Sequence, residues 1–209
     1  MKVASALLTD SRSLWTKIVR HPFVVAAADG SLDPAAFNRW LVEDFAFVVG
    51  FRDFVQGLAA LAPTGDATSV LTGAQVPLAA ELELFADEAR RRDLDLDTEP
   101  GPTTLGYTSF IRASLQDGYD VALTVLYGAE KAYFDAWRAV RETADRASPY
   151  RPFIENWSSD DFGAWVDDVA KLLDAAAPDG PTTPMSRAFG RVVRFELRFW
   201  DAVYGGERW

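Results

Sequence analysis

Three carboxylates stand on helix faces that are otherwise apolar, and a fourth stands at the edge of another. Successive residues of a helix lie about 100° apart, so each face can be read from spacing alone. Trp40, Phe47, Phe51, Phe54 and Leu58 share one narrow stripe, and Asp44 falls inside it. Ala122, Leu126, Tyr133 and Trp137 form a second face, with Glu130 at its middle. Met185, Phe189, Val192, Phe199, Trp200 and Val203 line a third, centred on Glu196. Glu81 lies at the margin of a fourth stripe, Leu78, Leu82, Phe85 and Ala89.

A buried carboxylate without a partner costs several kcal/mol or takes up a proton. A single acid of this kind is ordinarily structural, paired with a buried Arg or Lys. These faces offer few cations. Arg194 and Arg198 point away from Glu196, and Lys131 is one step off the face of Glu130. Three inward acids on separate helices therefore point to a pocket for a flat, donor-rich, partly basic ligand. Aromatic rings would stack on it, and carboxylates would accept its N–H groups or share a proton with a ring nitrogen. Burial also raises a carboxyl pKa, which suits a general acid or base near neutral pH. An aminated heterocycle fits such a site. A sugar or a phosphate fits it less well, because basic residues are missing.

The elements that must carry these acids are helical nearly throughout, with no convincing hairpin signal. The spacing predicts about eight helices, near 3–20, 34–61, 66–75, 77–93, 104–116, 121–146, 158–177 and 183–205. Pro22 ends the first, and Asp33 before Pro34 reads as an N-cap for the second. Asp120 is expected to cap the sixth, and Ser158 with Asp161 resembles a capping box for the seventh. Pro149 and Pro152 are expected to keep the segment between those two irregular. The expectation is one all-α domain over 1–209 without a long linker.

Composition narrows the chemistry further. The formal net charge is −10, from 21 basic and 31 acidic residues, which repels phosphate backbones and anionic membranes. There is no cysteine, so thiolate metal sites and Cys nucleophiles are excluded. The single histidine, His21, cannot supply the imidazoles that zinc or di-iron sites usually take, and capping or packing suits it better than haem ligation. Neither a cofactor nor a metal is expected. No phosphate loop or nucleophile elbow is present. Asp93 to Asp97 begins like a calcium loop, but Thr98 and Thr104 stand where Gly and Glu are needed, so it reads as solvated loop. Arg90, Arg91 and Arg92 suit the last turn of a helix. The first residues lack a signal-peptide core and no run reaches a membrane span, which leads to the expectation of a cytoplasmic protein.

Several stretches together resemble the TenA family, the thiaminase II-like aminopyrimidine hydrolases. They are His21-Pro22-Phe23-Val24, Asp29-Gly30-Ser31-Leu32, Glu43-Asp44-Phe45-Ala46-Phe47, Pro102 to Phe110, Trp157 to Phe162, and Phe195 to Asp201. The resemblance implies the haem oxygenase-like all-α fold and a homo-oligomer, dimer or tetramer. It implies that Asp44 holds the aminopyrimidine amino group and ring nitrogen, and that Glu196 moves a proton near the scissile carbon. Tyr107 and Tyr133 would match pocket tyrosines, while Phe47 and Trp157 stand where many members have Tyr. Where the better-known branch has a nucleophilic Cys, this chain has Ala129. The stretch Ala129-Glu130-Lys131-Ala132-Tyr133, with Glu81-Leu82-Glu83-Leu84-Phe85, is similar to the branch that lacks the Cys and carries a Glu. That branch is associated with thiamin salvage, converting aminomethyl or formylaminomethyl aminopyrimidines to the hydroxymethyl form. On this reading Glu130 and Glu196 share the acid–base work in an unassigned order, with Glu81 in support. The alternatives are a non-catalytic pyrimidine binder of the same fold, and a PQQ-biosynthesis-like or haem-handling relative, which the shortage of His and basic residues disfavours.

Overall fold

The computed structural model describes residues 2–145 and 148–209. Its order is α1 (Val3–Asp10), α2 (Arg12–Val19), α3 (Pro22–Asp29), α4 (Pro34–Leu61), α5 (Gly65–Gly73) and α6 (Gln75–Arg92). Then follow α7 (Pro102–Ser114), a 3-10 turn (Leu115–Asp117), α8 (Tyr119–Thr143), α9 (Arg151–Ser158), α10 (Asp160–Ala176) and α11 (Thr183–Gly205). The eight expected helical stretches are all helical. The first is divided at Ser11, and Pro22–Asp29 and Arg151–Ser158 add short helices between them.

The added helices have simple causes. Pro22 and Pro152 each sit in the first turn of a helix, where no intrahelical N–H is needed, so each starts an element, and α2 ends at Val19 before Pro22 as expected. His21 is the N-cap of α3: its Nδ1 accepts from the Phe23 N–H at 3.1 Å. Asp33 caps α4 as expected, accepting from the Ala35 N–H at 2.9 Å. Two expected caps are displaced. Ser159, not Ser158, caps α10 through the Phe162 N–H, and the Ser158 hydroxyl turns back to the Ile154 carbonyl inside α9. Gly118, with φ of 98°, precedes α8, which begins before Asp120. That helix ends at Thr143, with Ala144 already extended, short of the expected end at residue 146, which itself lies outside the described residues.

α8 runs through the centre of the bundle and packs on α11, α10, α9, α3 and α2. Every residue from Val121 to Glu130 is buried, so its first half has no solvent face. α4 packs on α5, α6, α7 and α11 from the other side. Two glycines permit close approach. A Cβ on Gly128 of α8 would stand 2.9 Å from Val192 of α11, and one on Gly50 of α4 would stand 2.3 Å from the Thr108 methyl of α7. α7 is anchored by acids from elsewhere: both Glu43 oxygens accept from the Gly101 N–H at 3.1 Å, and Glu207 accepts from the Thr103 N–H at 2.9 Å. Arg92 does more than favour a helix end. It bonds to Glu88 and to Asn38, and its guanidinium lies 4.5 Å from the Phe37 ring centre, tying α6 to α4. The Asp93–Asp97 stretch is a turn in which Asp95 accepts from the Asp97 N–H.

Candidate active site

The four acids converge. Asp44 from α4, Glu81 from α6, Glu130 from α8 and Glu196 from α11 line one narrow inner pocket of about 30 Å3. Phe47, Tyr133 and Trp157 complete its walls, and Ala129 lines it as well. All four carboxylates are buried, Asp44 and Glu196 to 1% exposure. Glu81 was expected at the margin of its stripe, but the packing of α6 on α4 buries it with the others.

None of the four is paired with a cation; each takes a hydrogen bond from a neutral donor. The Trp40 indole N–H donates to the Tyr133 hydroxyl at 3.2 Å, and Tyr133 in turn donates to Asp44 Oδ1 at 2.7 Å. Tyr107 donates to Glu196 Oε1 at 2.6 Å. The Trp165 indole N–H donates to Glu130 at 3.0 Å, and the Asn156 amide donates to Glu81 at 3.1 Å. The second oxygens, Asp44 Oδ2 and Glu196 Oε2, are buried without a partner. The nearby cations are turned away as the helix wheel predicts: Lys131 pairs with Asp135, and Arg194 donates to the Gly190 carbonyl.

Burial without cations drives the protonation states. Glu196 is pushed up to about 8, chiefly by burial; Tyr107 pulls it back, and the charges of Asp44 and Glu130 push it further. Glu130 also rises to about 8, by burial and then the charge of Glu81, against the Trp165 hydrogen bond. Glu81 reaches about 7, again by burial, offset by Asn156 and Trp157. Burial holds Asp44 well above the ordinary carboxylate range despite Tyr133. At neutral pH the empty pocket therefore favours protonated carboxyls, with Glu81 the one nearest to its titration, so a bound basic ligand can draw an ionised acid from among them.

The aromatic residues divide into lining and support. Phe47, Tyr133 and Trp157 line the pocket, whereas Tyr107 does not. Tyr107 stands behind Glu196, stacked on Phe195 at 4.9 Å and tilted against Phe47 at 4.8 Å. Its expected contact with ligand is therefore replaced by a grip on the acid. Asn156 and Trp165 escape sequence reasoning. Asn156 lies on the short helix that Pro149 and Pro152 obscure, and Trp165 is only partly buried among ordinary amphipathic spacing. The available signal was Asn156 beside Trp157, one position away from a residue already marked.

A second chamber of about 320 Å3 adjoins the pocket and shares Leu78, Glu81 and Glu130 with it. His21 lies outside both, its Nε2 3.1 Å from Asp201. Among the described residues, no group of three His, Asp or Glu side chains is arranged to hold a metal ion. No helix among them is long and apolar enough to cross a membrane.

Comparison with known proteins adds to this geometry. The pattern of the TENA/THI-4/PQQC family matches residues 8–206. The chain is 25% identical over 226 residues to an aminopyrimidine aminohydrolase of Halalkalibacterium halodurans, covering 100% of this chain and 98% of that one. It is 23% identical over 210 residues to a probable bifunctional TENA-E protein of Glycine max, covering 95% and 91% of the two chains. The solved structure of a TenA homologue from Pyrococcus furiosus superimposes with a TM-score of 0.92 at 30% identity, covering 97% of this chain and 100% of the other.

Proposed function

The chain belongs to the TENA/THI-4/PQQC family, and we propose that it is an aminopyrimidine hydrolase of thiamin salvage. It replaces the nitrogen substituent on the exocyclic methylene of an aminopyrimidine, amino or formylamino, by hydroxyl. The name carried by the relative from Halalkalibacterium halodurans supports the substrate class. The single observation that carries the reading is the pair of unpartnered oxygens, Asp44 Oδ2 and Glu196 Oε2, buried in an aromatic pocket without a cation. A flat ligand with N–H donors completes both.

Each residue then has a part. Asp44, oriented through Tyr133, accepts the ring amino group and faces the ring nitrogen. Phe47, Tyr133 and Trp157 hold the ring by its faces and edges. Water attacks the methylene carbon as the C–N bond breaks, and the bonding pair leaves on nitrogen. One glutamate takes a proton from the water and another gives one to the nitrogen. Glu130 stands in the wall shared with the chamber, beside the path of the leaving group, so it is assigned the acid's part. Glu196, held by Tyr107 deeper in the pocket, is assigned the base's part in its ionised form, which burial disfavours in the empty pocket and the N–H donors of a bound ring favour. Glu81 supports the charge balance. Ala129 lines the pocket with a methyl group, so no covalent step through this position is invoked. No metal or cofactor enters the scheme. The reading extends, on the family resemblance, to a cytoplasmic homo-oligomer, dimer or tetramer.

The test is Glu196→Gln. Loss of the acid–base group is expected to lower turnover of the aminomethyl pyrimidine by at least about 100-fold, while calorimetry still detects pyrimidine binding. Full turnover in this variant would remove Glu196 from the mechanism.

A further inference from the structure

Away from the pocket, the start of α7 and the end of α11 are both held by the turn of α4 that leads into Asp44. Gly101 is the N-cap of α7 and has no side chain to offer, so the free N–H groups at that end are capped from elsewhere. Glu43 of α4 takes the Gly101 N–H at 3.1 Å, and Glu207, in the segment after α11, takes the Thr103 N–H at 2.9 Å. Pro102 between them has no N–H. Arg39, one turn before Glu43, donates to the Val203 and Tyr204 carbonyls at the end of α11, both at 2.8 Å. Gly206 then turns the chain in the left-handed region, with φ of 81°, and this turn carries Glu207 across to α7. We infer that Glu207 is a positioning residue: by holding the first turn of α7 against α11, it sets the distance from the Tyr107 hydroxyl to Glu196. The effect on turnover rests on the hydrolase reading of the pocket; the effect on Glu196 rests on this geometry alone.

The chain of contacts is short. Thr103 lies one helical turn before Tyr107, so a slip of the first turn along the axis moves the hydroxyl by as much. Tyr107 donates to Glu196 Oε1 at 2.6 Å and stacks on Phe195, the neighbour of Glu196. O–H···O bonds span only about 2.5–3.0 Å, so a slip of about 1 Å breaks this one. Tyr107 is also the group that draws Glu196 toward its ionised form against burial. The charges that act on Glu196 are those of Asp44 of α4 and Glu130 of α8. Tyr133 of α8 and Glu81 of α6 complete the ionisable groups of the pocket. The sign of the effect separates positioning from charge. Removing the negative charge of Glu207 by itself eases ionisation of Glu196, whereas loosening Tyr107 opposes it.

The experiment follows the Glu196 carboxyl by carbon-13 NMR in the protein without substrate, with Glu196→Gln for assignment, and measures kcat/KM for the aminomethyl pyrimidine against pH. The variants are Glu207→Ala, Glu207→Gln, Tyr107→Phe, and Glu207→Ala combined with Tyr107→Phe. Glu207 is exposed, so replacing it leaves the core intact. Tyr107→Phe is expected to raise the Glu196 midpoint by about one pH unit, the effect of one hydrogen bond to a charged group, and Glu207→Ala by about half as much. On the low-pH side kcat/KM then falls roughly tenfold and roughly threefold. Glu207→Gln keeps an acceptor for the Thr103 N–H and is expected to stay within about twofold of the native protein. In the combined variant Glu207→Ala adds no loss to that of Tyr107→Phe. An unmoved or lowered Glu196 midpoint in Glu207→Ala, or losses that multiply in the combined variant, overturns the positioning role and leaves the hydrolase reading intact. A raised midpoint in a protein that turns over no substrate upholds the positioning role and overturns the hydrolase reading instead.

Discussion

At the scale of the residue, the site is built from acids held in a half-satisfied state. Tyr133, Tyr107, Trp165 and Asn156 each give one hydrogen bond to one carboxyl, enough to fix its orientation without neutralising it. An arginine would have removed the burial penalty and with it the raised pKa values. The consequence for stability has a definite sign. Glu130 and Glu196 keep their protons up to about 8 in the folded protein, whereas an unfolded glutamic acid loses its proton near 4.5. Between these values the native state binds more protons than the unfolded chain, so stability falls as pH rises through the window. Glu130→Gln lacks that titration. Its melting temperature is expected to fall less than that of the native protein between about pH 5 and about pH 9, and scanning calorimetry across that range checks it. Parallel curves for the two proteins would show that Glu130 is not buried as an ionisable acid.

At the scale of the element, the site depends on how closely α8 and α11 approach. Gly128 lets α8 rest on Val192 and Phe189 of α11, which sets Glu130 and Glu196 on facing surfaces. Gly128→Val forces these helices apart. Overpacking of this kind costs about 1–3 kcal/mol, or roughly 2–12 °C in melting temperature for a chain of this size, and is expected to lower turnover more than Gly190→Ala. Gly190 lies on the same α11, and a Cβ there meets only the flexible Arg194 side chain at 3.6 Å. Circular dichroism melts and turnover of the two variants check the contrast. Much of this was legible in the sequence, because Asp44, Glu130 and Glu196 interrupt regular apolar stripes and the stripes survive in the structure. What stayed hidden has physical reasons. Prolines 22 and 152 open helices, a use that spacing alone does not separate from breaking them. Asn156 and Trp165 reach the site through tertiary packing of α9 and α10, which no single wheel displays. Tyr107 looked like a wall and is a support, because burial tells that a residue points inward but not at what.

At the scale of the whole molecule, the charge distribution and the pocket agree. A protein of net charge −10 carries its acids inward as well as outward, and the proposed function gives the inward ones a nitrogen-rich ligand. Binding such a ligand at about 100 times its Kd adds about 2.7 kcal/mol to the folded state, which is roughly 5–11 °C in melting temperature. A protein that only binds and one that also hydrolyses share this shift, so the shift and the product must be read together. The deciding measurement is one incubation of the protein with aminomethyl aminopyrimidine, followed by melting temperature and by chromatography for the hydroxymethyl product and released ammonia. Stabilisation with stoichiometric growth of both products is the predicted result. Stabilisation with no product would make the protein a binder, and neither stabilisation nor product would contradict the claim that these carboxylates await an aminopyrimidine.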